Sequence, residues 1–364
     1  MLVLATLLAA IFPPFVLTAF FLTHYRHRLG FRLGVKAFGL GLIAAALAIL
    51  MGRVLERAAF LPRYSLSDGL HGALLQALTD AACYAAMPEE LAKFLMVWLV
   101  IRLSRDCDSG GDLFCGAILV GLGFAALENV MYVAAAHHNW AVIGTIRGLM
   151  AIPGHTIDGM FMGYFLALWW RKALPPLLAL LLALVLPMAA HTLYDFPLMA
   201  LDYVALLASR TGLSPAPLEW LRLMQFAMML ISALGAIWVA RQELIEVWRA
   251  PVPDGDLHPA DPIAVGWWRR GGWALTGFGL AVAALGVAIW ITDAQFLPAM
   301  QSLIDVAPLR RFGRWLIWLF NRQTGEFLFG LALFPIAFGV ILRMRPPKRI
   351  GNLFALWPSA RPWA

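Results

Sequence analysis

Charge is scarce in this chain. Of its 364 residues only 13% are Asp, Glu, Lys or Arg, while 62% are hydrophobic and the mean hydropathy is +0.77. A soluble domain is about one-quarter charged and about half apolar, so this balance excludes an ordinary soluble domain. Cysteine is also sparse: Cys83, Cys107 and Cys115 form no CxxC pair and leave an odd thiol. Cys83 lies in an apolar run and reads as a small buried hydrophobe. The sequence lacks an HExxH metal motif, an internal repeat, a low-complexity tract and any dense basic run. The net charge of +7 and the pI near 9.7 therefore do not point to nucleic acid. With fifteen Trp they fit basic loops and interfacial aromatic belts, so lipid is the expected surrounding partner.

What the chain has in quantity is long apolar runs. They fall at about 2–22, 34–54, 79–102, 113–135, 152–170, 174–196, 221–240, 272–292 and 325–343. The expected fold is all-α, a polytopic membrane bundle of about nine transmembrane helices. The first run begins at Met1 without a basic leader and is expected to be a span, not a cleaved signal. Lys and Arg divide unevenly between alternate loops, seventeen on one side and ten on the other. That bias orients the N-terminus outside and the C-terminus in the cytoplasm. Three parts are expected: a seven-helix membrane domain over 1–240 with its working core at about 70–200, a polar cytoplasmic linker over 241–270, and a two-helix segment over 271–364. This last part carries a basic tail and, at 294–322, an amphipathic helix lying in the outer interface.

Four runs hold polar residues that helix packing does not require. PEELAK supplies Glu89, Glu90 and Lys93, and GFAALENVMY places Phe124, Glu128 and Tyr132 on one helical face. IPGHTIDGMFMGY carries His155 and Asp158, and HTLYDF puts His191 and Asp195 one turn apart. Each charge buried in lipid costs roughly 2.5–3.5 kcal/mol on insertion scales, so these groups need a reason to be there. Counted inward from the ends at Arg102, Asp112, Arg171 and Lys172, Glu90, Glu128, His155 and His191 lie about 12 to 19 residues deep. At about 1.5 Å per residue all four clusters reach one layer, roughly 18–28 Å from the inner face. One shared polar cavity in the outer half of the bilayer accounts for that coincidence.

Two carboxylates, two imidazoles and further acids suit acid/base activation of water. No Ser or Cys stands beside a His in this layer, so direct attack by water is favoured over an acyl-enzyme. A zinc set of His155, His191 and a carboxylate from Glu90 or Glu128 is the metal-bearing alternative. Lys93 is spaced to neutralise Glu89 or Glu90, which a purely structural ion pair would also do. Intramembrane Glu, Lys, His and Asp also mark proton- or ion-coupled transporters, and a non-catalytic membrane scaffold is a third reading. His137 and His138, in AAAHHNW, read as solvated.

In order and spacing, PEELAK, the FxxxE of FAALENVMY, PGHTIDGMFMGY and HTLYDF resemble the PrsW intramembrane proteases, a family grouped with CAAX prenyl endopeptidases and bacteriocin-processing membrane proteins. The resemblance covers about residues 70–200. It implies a glutamic or metallo-type peptidase of the bacterial inner membrane, acting on single-span membrane proteins such as anti-sigma factors. It further implies that Glu89 and Glu90 include the water-activating carboxylate. Glu128 and His155 would be assisting groups, and His191 with Asp195 would polarise the scissile carbonyl.

Overall fold

The computed structural model describes residues 14–19, 31–58, 61–104, 107, 109–136, 140–214, 216–249, 270–289, 322–341 and 343. Among these residues every regular element is a helix. Helix α1 spans Phe31–Ala58. A 3-10 turn at Leu66–Asp68, capped by Ser65, leads into α2, Gly69–Thr79. The chain does not leave the helix there, because a π-helical segment, Asp80–Ala86, carries it into α3, Met87–Leu103. Helices α4 (Gly110–Ala135), α5 (Trp140–Leu149) and α6 (Ala151–Trp170) follow. Then come α7 (Pro176–Thr211), α8 (Ala216–Arg249), α9 (Arg270–Ile289) and α10 (Arg322–Ile341).

Local sequence explains several of these boundaries. Ser109 and Asp112 form a reciprocal capping box that starts α4. Gly212, at φ 69°, closes α7 in the left-handed region that glycine adopts freely. The π segment has a cause two residues beyond its end: Pro88 offers no N–H to the Tyr84 carbonyl, and the Met87 N–H reaches back five residues to the Ala82 carbonyl. That widened turn sits immediately before Glu89 and Glu90.

Among the described residues five helices are long and apolar enough to cross a membrane: α1, α4, α7, α8 through Gln242, and α9. Each of the eight later runs read from the sequence overlaps a helix among the described residues, while the first lies mostly outside them. Helix α3 has 17 residues of its own but continues the helix begun at Gly69, and His155 and Asp158 dilute the apolar character of α6. Leu177, Leu181, Val185, Ile43, Val54 and Ile231 are exposed on the outside of the bundle. Apolar surface of that extent needs lipid against it, and the protein is a multi-pass integral membrane protein.

The sequence places a linker from residue 241, but α8 continues through Arg249. The rest of that stretch, 250–269, lies outside the described residues, as do the 294–321 part of the expected interfacial helix, the basic tail beyond 343, and His137 and His138.

Helix α4 is the axis of the bundle. It is buried along most of its length and packs mainly against α6 and α1. Close approach depends on glycine. A methyl group at Gly121 would fall on the His155 carbonyl, and one at Gly159 on the Ala117 carbonyl and Ile118. Small residues at such crossings let helix backbones touch where lipid offers no hydrophobic drive. This contact sets the α6 backbone at His155 directly against α4. We therefore expect Gly121→Ala to destabilise the detergent-solubilised protein by about 1–3 kcal/mol in thermal melting. Gly116→Ala, where an added methyl meets nothing within 4 Å, is the control and leaves melting unchanged.

Candidate active site

Four helices deliver the polar residues that the sequence singled out, and the side chains meet. Lys93 lies at their centre, with 1% of its surface exposed. Its Nζ donates to Glu90 Oε1 at 2.7 Å and to His155 Nδ1 at 2.9 Å, and stands 3.6 Å from Glu89 Oε2. The Phe124 ring covers it at 4.1 Å. Lysine has only donors, so His155 Nδ1 accepts, and its Nε2–H donates to Glu128 Oε2 at 2.7 Å. On the other side, His191 Nδ1 lies 2.8 Å from Glu90 Oε1, and its Nε2 lies 3.2 Å from Asp195 Oδ2. A continuous run therefore passes from Glu128 through His155, Lys93, Glu90 and His191 to Asp195.

The adjacent glutamates have different surroundings. Glu90 is wholly buried and spends Oε1 on both Lys93 and His191. Glu89, one residue earlier and turned about 100° around the helix, lines a cavity of about 560 Å³ together with His155, Asp158, His191 and Asp195. Its Oε2 is 3.9 Å from His191 Nε2 and carries no hydrogen bond among the described residues. Met150, Leu198, Met199 and Phe334 give the same cavity apolar walls. Helix α7 has prolines on both sides of its site residues, Pro187 and Pro197, each of which removes a backbone donor from the ladder near His191 and Asp195.

All six residues nominated from the sequence, Glu89, Glu90, Glu128, His155, His191 and Asp195, belong to this one cluster. Sequence reasoning missed Arg147. From α5 this residue pairs with Glu128, donates to Asn129 Oδ1 at 2.8 Å and stacks 3.9 Å over the Tyr132 ring. A lone arginine in the otherwise apolar WAVIGTIRGL was the available signal. Asp158, noted beside His155, stands 3.8 Å from His191 Nδ1.

Four residues have the right donors for a divalent ion: Glu89, Glu90, His155 and His191, with ligand atoms within 4.8 Å of one another. Glu128, part of the set inferred from sequence, is not among them, because it is committed to the far nitrogen of His155 and to Arg147. The Lys93 ammonium already occupies the space between Glu90 Oε1 and His155 Nδ1. As arranged, this donor set does not fit a metal unless Lys93 is displaced.

Removing one partner of a buried ion pair costs about 3–5 kcal/mol, because the other charge is left uncompensated. Lys93→Met is expected to lower stability by about that amount in melting of the purified protein. Adding Glu90→Gln should recover part of the loss, and a double mutant no better than the single would refute the pairing.

Comparison with known families matches residues 30–234 to the PrsW family intramembrane metalloproteases, more than half of the chain. Similar curated proteins include Protease PrsW of Oceanobacillus iheyensis, 28% identical over 117 residues, which cover 32% of this chain and 53% of that protein. Protease PrsW of Shouchella clausii is 30% identical over 120 residues, 33% of this chain and 54% of the relative. Protease PrsW of Bacillus subtilis is 31% identical over 115 residues, 31% and 51% respectively. The chain spans about half the length of the curated relatives it matches. No solved structure matches it. The polar cluster lies inside the matched region, and the chain belongs to the PrsW family.

Proposed function

We propose that the protein is an intramembrane endopeptidase that hydrolyses peptide bonds of membrane-anchored proteins. The observation that carries this reading is Glu89. It is a carboxylate facing a cavity beside His191, held in place by a fully buried Lys93–Glu90 pair. In the proposed reaction a cavity water gives a proton to Glu89 while its oxygen bonds to the scissile carbonyl carbon. His191 faces a carboxylate at each ring nitrogen, Glu90 at Nδ1 and Asp195 at Nε2, so both nitrogens carry N–H, and the Nε2–H is the donor nearest to receive the developing oxyanion. Collapse of the tetrahedral intermediate breaks the C–N bond, and the proton on Glu89 passes to the leaving amine. Glu90, with no exposed surface, acts by positioning Lys93 and His191.

A divalent ion, if bound by Glu89, Glu90, His155 and His191, would supply Lewis-acid polarisation of water or carbonyl. The position of Lys93 argues against it, and the reading uses no metal. The Lys/Arg bias and the depth of the cluster support about nine spans with the N-terminus outside and the site in the outer half of the bilayer. The resemblance supports a bacterial inner-membrane location and a single-span substrate such as an anti-sigma factor. The polar stretch over 241–270 supports the division into a membrane domain at 1–240 and an appended membrane segment at 271–364.

Cleavage of a single-span reporter by the purified protein in proteoliposomes tests the reaction. Glu89→Gln should reduce the rate by about 10²–10⁴-fold, the loss typical of a missing general base. Glu90→Gln should also lower the rate, together with a lower melting temperature. Full cleavage by Glu89→Gln would remove the proposal. Glu89-dependent ion flux without cleavage would favour a transporter instead.

A further inference from the structure

A second cavity, of about 720 Å³, lies on the other side of the carboxylates, and Glu89, Glu128 and Tyr132 line both. Its walls differ in character. Arg53 and Glu56 come from the end of α1, Arg63 and Tyr64 from the loop after it, and Asp80, Tyr84 and Tyr203 from the π segment and α7. The wall is built and braced. The Tyr203 hydroxyl donates to Asp80 Oδ2 at 2.6 Å, Gln76 Nε2 donates to Asp80 Oδ1 at 2.8 Å, and the Tyr64 N–H donates to Gln76 Oε1 at 2.8 Å.

The place of this cavity follows from helix lengths. The continuous helix from Gly69 to Leu103 and helix α7, at 36 residues, each run about 50 Å, against a hydrocarbon core of about 30 Å. Near the other end Trp98 packs on Trp169, shortly before α7 begins, so the excess of both helices projects at the opposite end, which the Lys/Arg bias makes the outer one. There Ala73, Ala77, Ala200, Val204 and Leu207 pack as a separate apolar cluster. The second cavity sits at the base of that projection.

Asp80 is occupied by two donors, whereas Arg53, Glu56 and Arg63 make no ion pair among the described residues. The Tyr84 hydroxyl is buried there without a hydrogen-bond partner. The mouth therefore offers two guanidiniums without an ion-pair partner among the described residues, beside the carboxylates Glu56 and Asp80, and a spare hydroxyl beside the route to Glu89.

We propose that this second cavity is the subsite for the outer, leaving-side segment of the substrate, and that Arg53 and Arg63 select acidic side chains in it. The inference rests on the peptidase reading. The apolar cavity takes the residues emerging from the bilayer, and the chain crosses Glu89 into the polar cavity. Arginine forks match carboxylates in bidentate geometry, which makes acidic residues the fitting class. The acidic positions come a few residues past the scissile bond, because Glu89 and Glu128 make the cavity floor negative. Anionic lipid headgroups would also pair with exposed arginines. The peptide is preferred because this cavity is continuous with the carboxylate that faces the substrate.

The test uses the full chain in phosphatidylcholine vesicles and three single-span reporters that differ only beyond the cleavage point: acidic, neutral or basic. Wild type should cut the acidic reporter at least about 10-fold faster than the basic one. In Arg53→Glu/Arg63→Glu the order of the acidic and basic reporters should invert. Equal cleavage of all three by wild type, or an unchanged order in the variant, overturns the subsite. So does an effect of the variant that appears only when phosphatidylglycerol is added, which would assign the arginines to lipid. Failure of wild type to cut any reporter would instead refute the peptidase reading, and the subsite with it.

Discussion

One ammonium group holds the centre of this molecule together. Lys93 joins Glu90 on its own helix to His155 on α6 and lies against Phe124 on α4. Through His155 it reaches Glu128, and through Glu90 it reaches His191 on α7. An isolated charge in a medium of low dielectric is costly by many kcal/mol, and an unsatisfied buried partner is nearly as bad. The four helices are therefore coupled, since displacing any one strands a charge contributed by another. The same coupling fixes roles. His155 is held as the tautomer that accepts from Lys93 and donates to Glu128, with both nitrogens committed to the cluster. Glu89 is left as the carboxylate free to face the cavity.

The fold supplies the rigidity that such a cluster needs. Glycines at the α4–α6 crossing bring the two backbones into contact beside His155. Pro88 forces the π turn that leads into Glu89 and Glu90, and π turns of this sort recur where a helix must present side chains for function. Arg147, from the short α5, fastens the far end of the run by holding Glu128, Asn129 and the Tyr132 ring. Sites carried on packed helices hold geometry better than sites on loops, and every polar group of this cluster is on a helix.

Much of this was legible in the sequence. Apolar run length located the helices, and the shared depth of Glu90, Glu128, His155 and His191 identified residues that do meet. Depth, however, is one coordinate. It cannot separate Glu89 from Glu90, whose roles diverge because neighbouring residues point about 100° apart on a helix. Nor could it reveal that Lys93, read as a local partner for the glutamates, also serves His155 sixty-two residues away. The extensions of α2 and α7 beyond a bilayer's thickness were hidden because their apolar faces bury against each other and not in lipid. Arg147 escaped because a single cation between two runs looks the same whether it faces water or a carboxylate.

The central claim is that Lys93, and not a metal ion, organises the carboxylates and imidazoles. Metal content per chain, measured by mass spectrometry on active protein before and after chelation, tests it most directly. The account predicts far less than one divalent ion per chain and undiminished cleavage after chelation. One zinc per chain, lost together with activity in both the chelated protein and His191→Ala, would contradict it.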